Sequence, residues 1–276
     1  MTALDEAVAA SQDWDVPHAS VAVVTADGAV AASAGDQDRV YRLASVTKLL
    51  SAYAALVAVE EGALALDQPA GPPGATVEHL LAHTAGYDFS SSELRAAPGE
   101  RRLYSNTGFE VLADLLESET GIAFDAYAHE AVFAPLGMSH TTIGDSAAAG
   151  GSSTSADLAL FAAELQRPRL LDHATLDRAT GVSFPGRRGV LPGFGQQAEN
   201  DWGLGLEIRG TKSPHWTGSQ NSPETFGHFG QAGTFLWVDP RAGAALVALT
   251  DRPFGPWAAD AWPPFSDGVL AALAAD

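Results

Sequence analysis

Ser45-Val46-Thr47-Lys48 sets a hydroxyl and an amine three residues apart. On a helix those positions share a face, so the two groups would be neighbours. A serine hydroxyl is a weak nucleophile until a base takes its proton. Lysine becomes such a base when burial or a nearby cation lowers its pKa; arginine does not. The chain holds 13 Arg but only two Lys, Lys48 and Lys212. A sequence that otherwise writes its cations as Arg, yet places Lys here, fits a need for a removable proton. With 20 Ser and two Lys in the chain, about 0.15 S-x-x-K matches arise by chance, so the motif carries little weight alone.

Tyr104-Ser105-Asn106 is the second candidate. A phenol shuttles protons if a cation such as Lys48 pulls its pKa down. Asn106 would hydrogen-bond both Lys48 and a substrate carbonyl; the plainer reading makes it only the cap of the helix that follows. His228-Phe229-Gly230-Gln231 is the third. A glycine there lets a substrate approach the backbone. A strand-edge N–H at that point would polarise a carbonyl together with the amide of Ser45.

These groups need a scaffold. The 276 residues include 46% hydrophobic ones, enough for a sizeable core without metal or disulfide. Residues 3–11 read as a short helix, and 19–34 as a hairpin turning at Asp27-Gly28. Residues 45–61 carry apolar positions at helical spacing, with Gly62 as the stop. Helical segments follow at 77–83 behind Thr76, 107–120 between Asn106 and Gly121, 124–134 and 155–166. From residue 201 the period shortens: Leu204, Leu206 and Ile208 alternate, then Phe235 and Trp237, then Leu246 and Ala248. The tail 266–275 reads as a terminal helix. Strands near both ends and helices between predict an α+β fold, an antiparallel sheet flanked by N- and C-terminal helices with a helical subdomain inserted.

Composition removes several classes. There is no Cys, hence no thiolate nucleophile or Cys-bound metal. The 15 basic and 34 acidic residues give a net charge of −19, which repels nucleic acid. No segment reads as a membrane span. The N-terminus, Met1-Thr2-Ala3-Leu4-Asp5-Glu6, is acidic and lacks an apolar run, so a cytoplasmic protein is expected.

Taken in order, the three motifs resemble those of the serine β-lactamase and penicillin-binding-protein superfamily, most of all the class C branch with its family VIII esterases and D-amino-acid peptidases. Tyr41-Arg42-Leu43-Ala44, Gly62-Ala63-Leu64-Ala65-Leu66-Asp67, Leu80-Leu81-Ala82-His83-Thr84-Ala85-Gly86, Phe226-Gly227-His228-Phe229-Gly230 and Leu236-Trp237-Val238-Asp239-Pro240 extend the likeness over about residues 17–255. The resemblance implies a β-lactamase/transpeptidase-like fold, with residues 1–276 as one catalytic domain. Residues 1–64 and 201–276 would form its α/β subdomain and 65–200 the helical one. It implies a serine hydrolase in which Ser45 accepts the acyl group and Lys48 and Tyr104 act as the base pair. Asn106 would orient Lys48, and the amides of Ser45 and Gln231 would form an oxyanion hole. His228, Phe229 and Gly230 would meet the substrate. Which of Lys48 and Tyr104 is the resting base stays open at this level.

One departure bears on the substrate. The branch this chain resembles carries K-T-G or H-x-G, and where β-lactamases and DD-peptidases usually have K-T-G this chain has His228-Phe229-Gly230. A neutral His and a Phe bind a carboxylate less well than Lys and Thr. A small neutral acyl ester or amide is therefore the expected small-molecule substrate, with β-lactamase or DD-peptidase action, or a non-catalytic binding role, as alternatives. No cofactor is implied, and the oligomeric state is not readable. His79 and His83 stand four apart, a zinc-like spacing, but without a third ligand the expected metal count is none. His215-Trp216-Thr217-Gly218 would place Trp216 against an acyl chain, or lie on the surface as a loop. Asp201-Trp202-Gly203 reads as structural.

Overall fold

The computed structural model describes residues 2–275. Its strands are β1 (Ala19–Thr25), β2 (Val30–Ala34), β3 (Tyr41–Arg42), β4 (Thr142–Ile143), β5 (Gly151–Ser153), β6 (Gly189–Leu191), β7 (Gly195–Gln197), β8 (Glu207–Ile208), β9 (Phe226–Gly230), β10 (Thr234–Asp239) and β11 (Ala244–Thr250). Its helices are α1 (Ala3–Ala9), α2 (Thr47–Glu60), α3 (Val77–Leu81), α4 (Thr107–Thr120), α5 (Phe124–Ala128), α6 (Ala134–Leu136), α7 (Ser155–Gln166), α8 (His173–Thr180) and α9 (Pro256–Leu273). A π-helical turn, His129–Phe133, joins α5 to α6.

The main sheet is antiparallel in the order β2-β1-β11-β10-β9-β8. Side chains on a strand alternate between faces, and here the two faces feed two cores. Ala22, Val24, Val247 and Leu249 join the core that contains α2, α4 and α7. Val21, Val23, Leu246 and Ala248 join a second core with α1 and α9. Strands covered on both sides lose the polar half of their alternation, as the uninterrupted burial of β11 illustrates.

Helix α2 carries the S-x-x-K segment and is encased on every side. Every residue from Thr47 to Ala58 is buried, as expected for a helix apolar all round. Helix α9 begins at Pro256, ten residues before the tail helix expected from sequence, and runs through Pro263 and Pro264. Two internal prolines cost backbone hydrogen bonds. The helix survives them because Trp262 and Phe265 are buried in the second core. The strand expected from Leu204 shrinks to Glu207–Ile208, because Gly205 takes a left-handed φ of +83° and turns the chain first. Among the described residues no helix is long and apolar enough to cross a membrane.

Candidate active site

Ser45 sits in a 3-10 turn, Ala44–Val46, that leads directly into α2. Ala44 adopts φ +46°, unusual for a residue with a side chain. The strain is held by neighbours on both sides. Thr234 Oγ1 donates to the Leu43 carbonyl at 2.8 Å, Leu43 N donates to Gly151 O at 2.8 Å, and Thr47 Oγ1 donates to Ala44 O at 2.6 Å. Gly230, at the end of β9, lies against the same turn. A β-carbon there would fall 2.2 Å from Leu43 O and 3.2 Å from Ser45 N. A glycine is thus required for the end of β9, just before Gln231, to approach the Ser45 amide.

Lys48, the second residue of α2, is fully buried. Its Nζ donates to Asn106 Oδ1 at 2.6 Å and to Ala148 O at 3.0 Å, and stands 3.5 Å from Ser45 Oγ. Burial lowers its pKa to about 7, against a smaller upward pull from Glu110. In the uncharged amine, two N–H bonds serve Asn106 and Ala148 and the lone pair is left for the Ser45 proton. Glu110 holds the Ala148 segment in place, accepting from Ser146 Oγ and from the amides of Ala147 and Ala148. Nothing in the spacing of Glu110 marks it for this support.

Asn106 occupies the N-cap position of α4, but its side chain makes no cap hydrogen bond. Its Oδ1 is committed to Lys48. Tyr104 lies two residues earlier, and Lys48 Nζ is 4.7 Å from its ring centroid. The expected downward pull on the phenol does not occur. Burial raises the Tyr104 pKa above its ordinary value, and the hydrogen bond with Ser45 offsets this only in part. An amine that is itself half neutral supplies too little charge to win against desolvation. The phenol hydroxyl lies 3.1 Å from His228 Nε2. His228 is held neutral, its pKa brought down to about 3 by burial and secondarily by Lys48.

Alternation along β9 sends His228 toward Tyr104 and Phe229 to the opposite face, among Trp216, Phe235 and Trp262. Both still touch an inner cavity of about 50 Å³, whose wall includes Ser45, Tyr104, Trp202, Trp216 and Gln231. Trp216 is buried, not on a surface loop, and its Nε1 donates to Glu207 at 2.8 Å. Trp202, which sequence marked as structural, is also part of the wall.

Glu207 is the residue that sequence reasoning missed. It reaches the cavity wall while its carboxylate is buried against Lys212 Nζ at 2.6 Å and His215 Nε2 at 3.1 Å. Burial would raise its pKa, but Lys212 and His215 outweigh that and hold it well below the usual carboxylate range. Its partners are single letters in a Gly/Pro/Ser-rich stretch, where no period marks them. Both lysines of the chain are therefore buried, one with its pKa lowered to about 7 and one paired with a carboxylate. His79 and His83 diverge: His79 Nδ1 lies 2.9 Å from Thr76 Oγ1, while His83 Nδ1 accepts from Ser105 N at 3.2 Å.

Comparison with known proteins places the chain in a family. The sequence profile of the Beta-lactamase family matches residues 4–266. A crystal structure of a beta-lactamase (Mb2281c) from Mycobacterium bovis is 55% identical, with a TM-score of 0.95, over 97% of this chain and 99% of that one. The D-alanyl-D-alanine-carboxypeptidase/endopeptidase AmpH of Escherichia coli K12 is 29% identical over 142 residues, 38% of this chain and 37% of AmpH. A D-stereospecific amidohydrolase from Streptomyces sp. shares the fold, with a TM-score of 0.70 at 22% identity over 98% of this chain and 97% of that one. The chain spans less than half the length of the curated relatives it matches.

Proposed function

Because the chain belongs to the beta-lactamase family of serine hydrolases, we propose that it cleaves small esters or amides, uncharged at the reacting centre, through an acyl-enzyme on Ser45. The observation that carries this reading is the Lys48 amine, buried, with a pKa of about 7, 3.5 Å from the Ser45 hydroxyl. In acylation Ser45 Oγ bonds to the carbonyl carbon while Lys48 takes its proton. The oxyanion is met by the amides of Ser45 and Gln231. The Tyr104 phenol, protonated at rest, passes a proton to the departing alcohol or amine and is re-protonated from Lys48. A water then attacks the acyl-enzyme by the same route in reverse, releasing the acid.

The preference for an uncharged centre is supported by His228, which burial holds neutral at physiological pH. It is supported too by the apolar wall formed by Phe229, Trp202 and Trp216. A fluorophosphonate probe is expected to add its mass at Ser45 and to leave Ser45→Ala unlabelled. Wild-type protein that takes no label, or takes it elsewhere, ends the proposal.

A second reading, turnover of β-lactams or D-alanyl peptides by the same residues, draws on the likeness to the Mycobacterium bovis protein and to AmpH. Faster steady-state turnover of a chromogenic cephalosporin than of a 4-nitrophenyl ester would favour it. A non-catalytic binding role has less support, since Ser45, Lys48, Tyr104 and Asn106 are all present and adjacent.

A further inference from the structure

The inner cavity adjoins an outer cleft of about 530 Å³, the two sharing Phe89, Tyr104 and Pro192 in their walls. Four arginines line that cleft, Arg95, Arg101, Arg102 and Arg188, against one acidic residue, Asp88. Two of the four are already engaged. Arg102 is buried and donates to the carbonyls of Ala82, Ser183, Phe184 and Asn200. Arg95 pairs with Asp88 and Glu93. Among the described residues, Arg101 and Arg188 pair with no carboxylate.

Backbone pairing brings these two together. Arg102 bridges Gly189 in parallel, and Arg102 N donates to Arg188 O at 3.1 Å. The approach depends on glycine, since a β-carbon at position 189 would fall 2.5 Å from Arg102 O. Arg101 and Arg188 each stand one residue before a partner of this isolated bridge, and both line the cleft. Like charges held near one another repel. A chain with 34 acidic residues and a net charge of −19 leaves this pair uncompensated at the mouth of its cavity. The field in a cleft follows the charges that line it more than the net charge of the whole.

We propose that Arg101 and Arg188 together bind a carboxylate at the end of the substrate remote from the scissile carbonyl. The substrate class is then an ester or amide, uncharged where it reacts, joined by a short apolar linker to a carboxylate. The guanidinium fork matches carboxylate geometry. The linker passes between inner and outer spaces along Phe89 and Tyr104, whose rings lie 6.0 Å apart and within 23° of parallel. The assignment rests on the hydrolase reading above for its reaction, though not for its anion site.

The test compares matched substrates in the full chain. Mono-4-nitrophenyl adipate is set against 4-nitrophenyl hexanoate, placing the charge on the acyl side. The hexanoate ester of 4-hydroxybenzoate is set against that of methyl 4-hydroxybenzoate, placing it on the leaving side. In one of the two pairs, wild type is expected to favour the acid at low salt. Arg101→Gln and Arg188→Gln should each cut kcat/KM for that acid roughly tenfold and leave its neutral partner within about twofold. Arg241→Gln, remote from the cleft, should change neither. Salt at 0.5 M should narrow the preference. No preference in either pair, or equal losses on acid and neutral partner, overturns the proposal. Should no ester be turned over, binding of adipate to Ser45→Ala, read by tryptophan fluorescence, decides the matter. Saturable binding that the double Arg variant abolishes upholds the anion site; binding absent or indifferent to the arginines overturns it. Failure of the hydrolase reading shows separately, as absent fluorophosphonate labelling of wild type.

Discussion

Lys48 Nζ lies 2.6 Å from Asn106 Oδ1, across 58 residues of sequence, and that contact aims the amine at Ser45. The asparagine that would ordinarily cap α4 serves α2 instead. Two elements distant in sequence are joined through this hydrogen bond, and the Ser45 hydroxyl stands 3.5 Å from the same amine.

If this amine is the base, charge alone will not replace it. Lys48→Arg keeps the cation but cannot give up its proton near neutrality. Both Lys48→Arg and Lys48→Met should lower kcat by about 10²–10⁴ on a 4-nitrophenyl ester. Near-normal turnover by the Arg variant would remove Lys48 from the role.

The pH profile follows from the same group. An amine with a pKa of about 7 is protonated below that value and a free base above it. The rate of Ser45 labelling should therefore climb through pH 7 and level off above about pH 8. His228→Gln should keep this limb in place, because His228 titrates near 3. A limb that vanishes in that variant would reassign it to the histidine. Stability carries the matching signature. Between pH 7 and roughly 10.4 the unfolded chain holds a proton on Lys48 that the folded chain lacks, so this group's contribution to stability rises with pH across that window.

Gly230→Ala tests the closeness of strand and turn. The new methyl would meet Leu43 O and press on the Ser45 amide. Overpacking of this kind costs about 1–3 kcal/mol of stability. The larger loss should be in kcat, on the order of 100-fold, since small displacements of reacting groups carry that penalty. Thermal unfolding and steady-state kinetics on one preparation separate the two. Unchanged kcat would mean that the Gln231 amide need not approach Ser45 so closely.

Glu207→Gln strands Lys212 in the interior without its counter-charge. Breaking a buried pair from one side costs about 3–5 kcal/mol, and a depressed Tm is expected. Glu207→Gln combined with Lys212→Met should recover part of that loss. A double variant worse than the single would show that the lysine is held mainly by the carbonyls of Asp201 and Ile208, to which it also donates.

The catalytic candidates were legible because each is fixed by short-range spacing. Ser45 and Lys48 need only one helical turn, and Tyr104 and Asn106 share one helix entrance. The hairpin of β10 and β11 announced itself through alternation and the turn at Asp239-Pro240-Arg241-Ala242-Gly243. What stayed hidden depends on burial or on pairing between distant segments. The raised pKa of Tyr104 is a contest between desolvation and a cation that sequence names but cannot weigh. Prolines 263 and 264 read as helix breakers, and only the packing of Trp262 overrules them. The neighbours Arg101 and Arg188 meet through a bridge that joins segments 87 residues apart, from Arg102 to Gly189.

In the main sheet β1 is flanked on one side by β2 and on the other by β11, with Thr25 opposite Ala244. During translation, at roughly 5–20 residues per second, the first strand waits on the order of ten to forty seconds for its second neighbour to leave the ribosome. Until then β1 offers a bare apolar edge, and β9 has no sheet to hold it beside the Ser45 turn. The sheet that holds β9 against the Ser45 turn is therefore complete only once synthesis has passed residue 250.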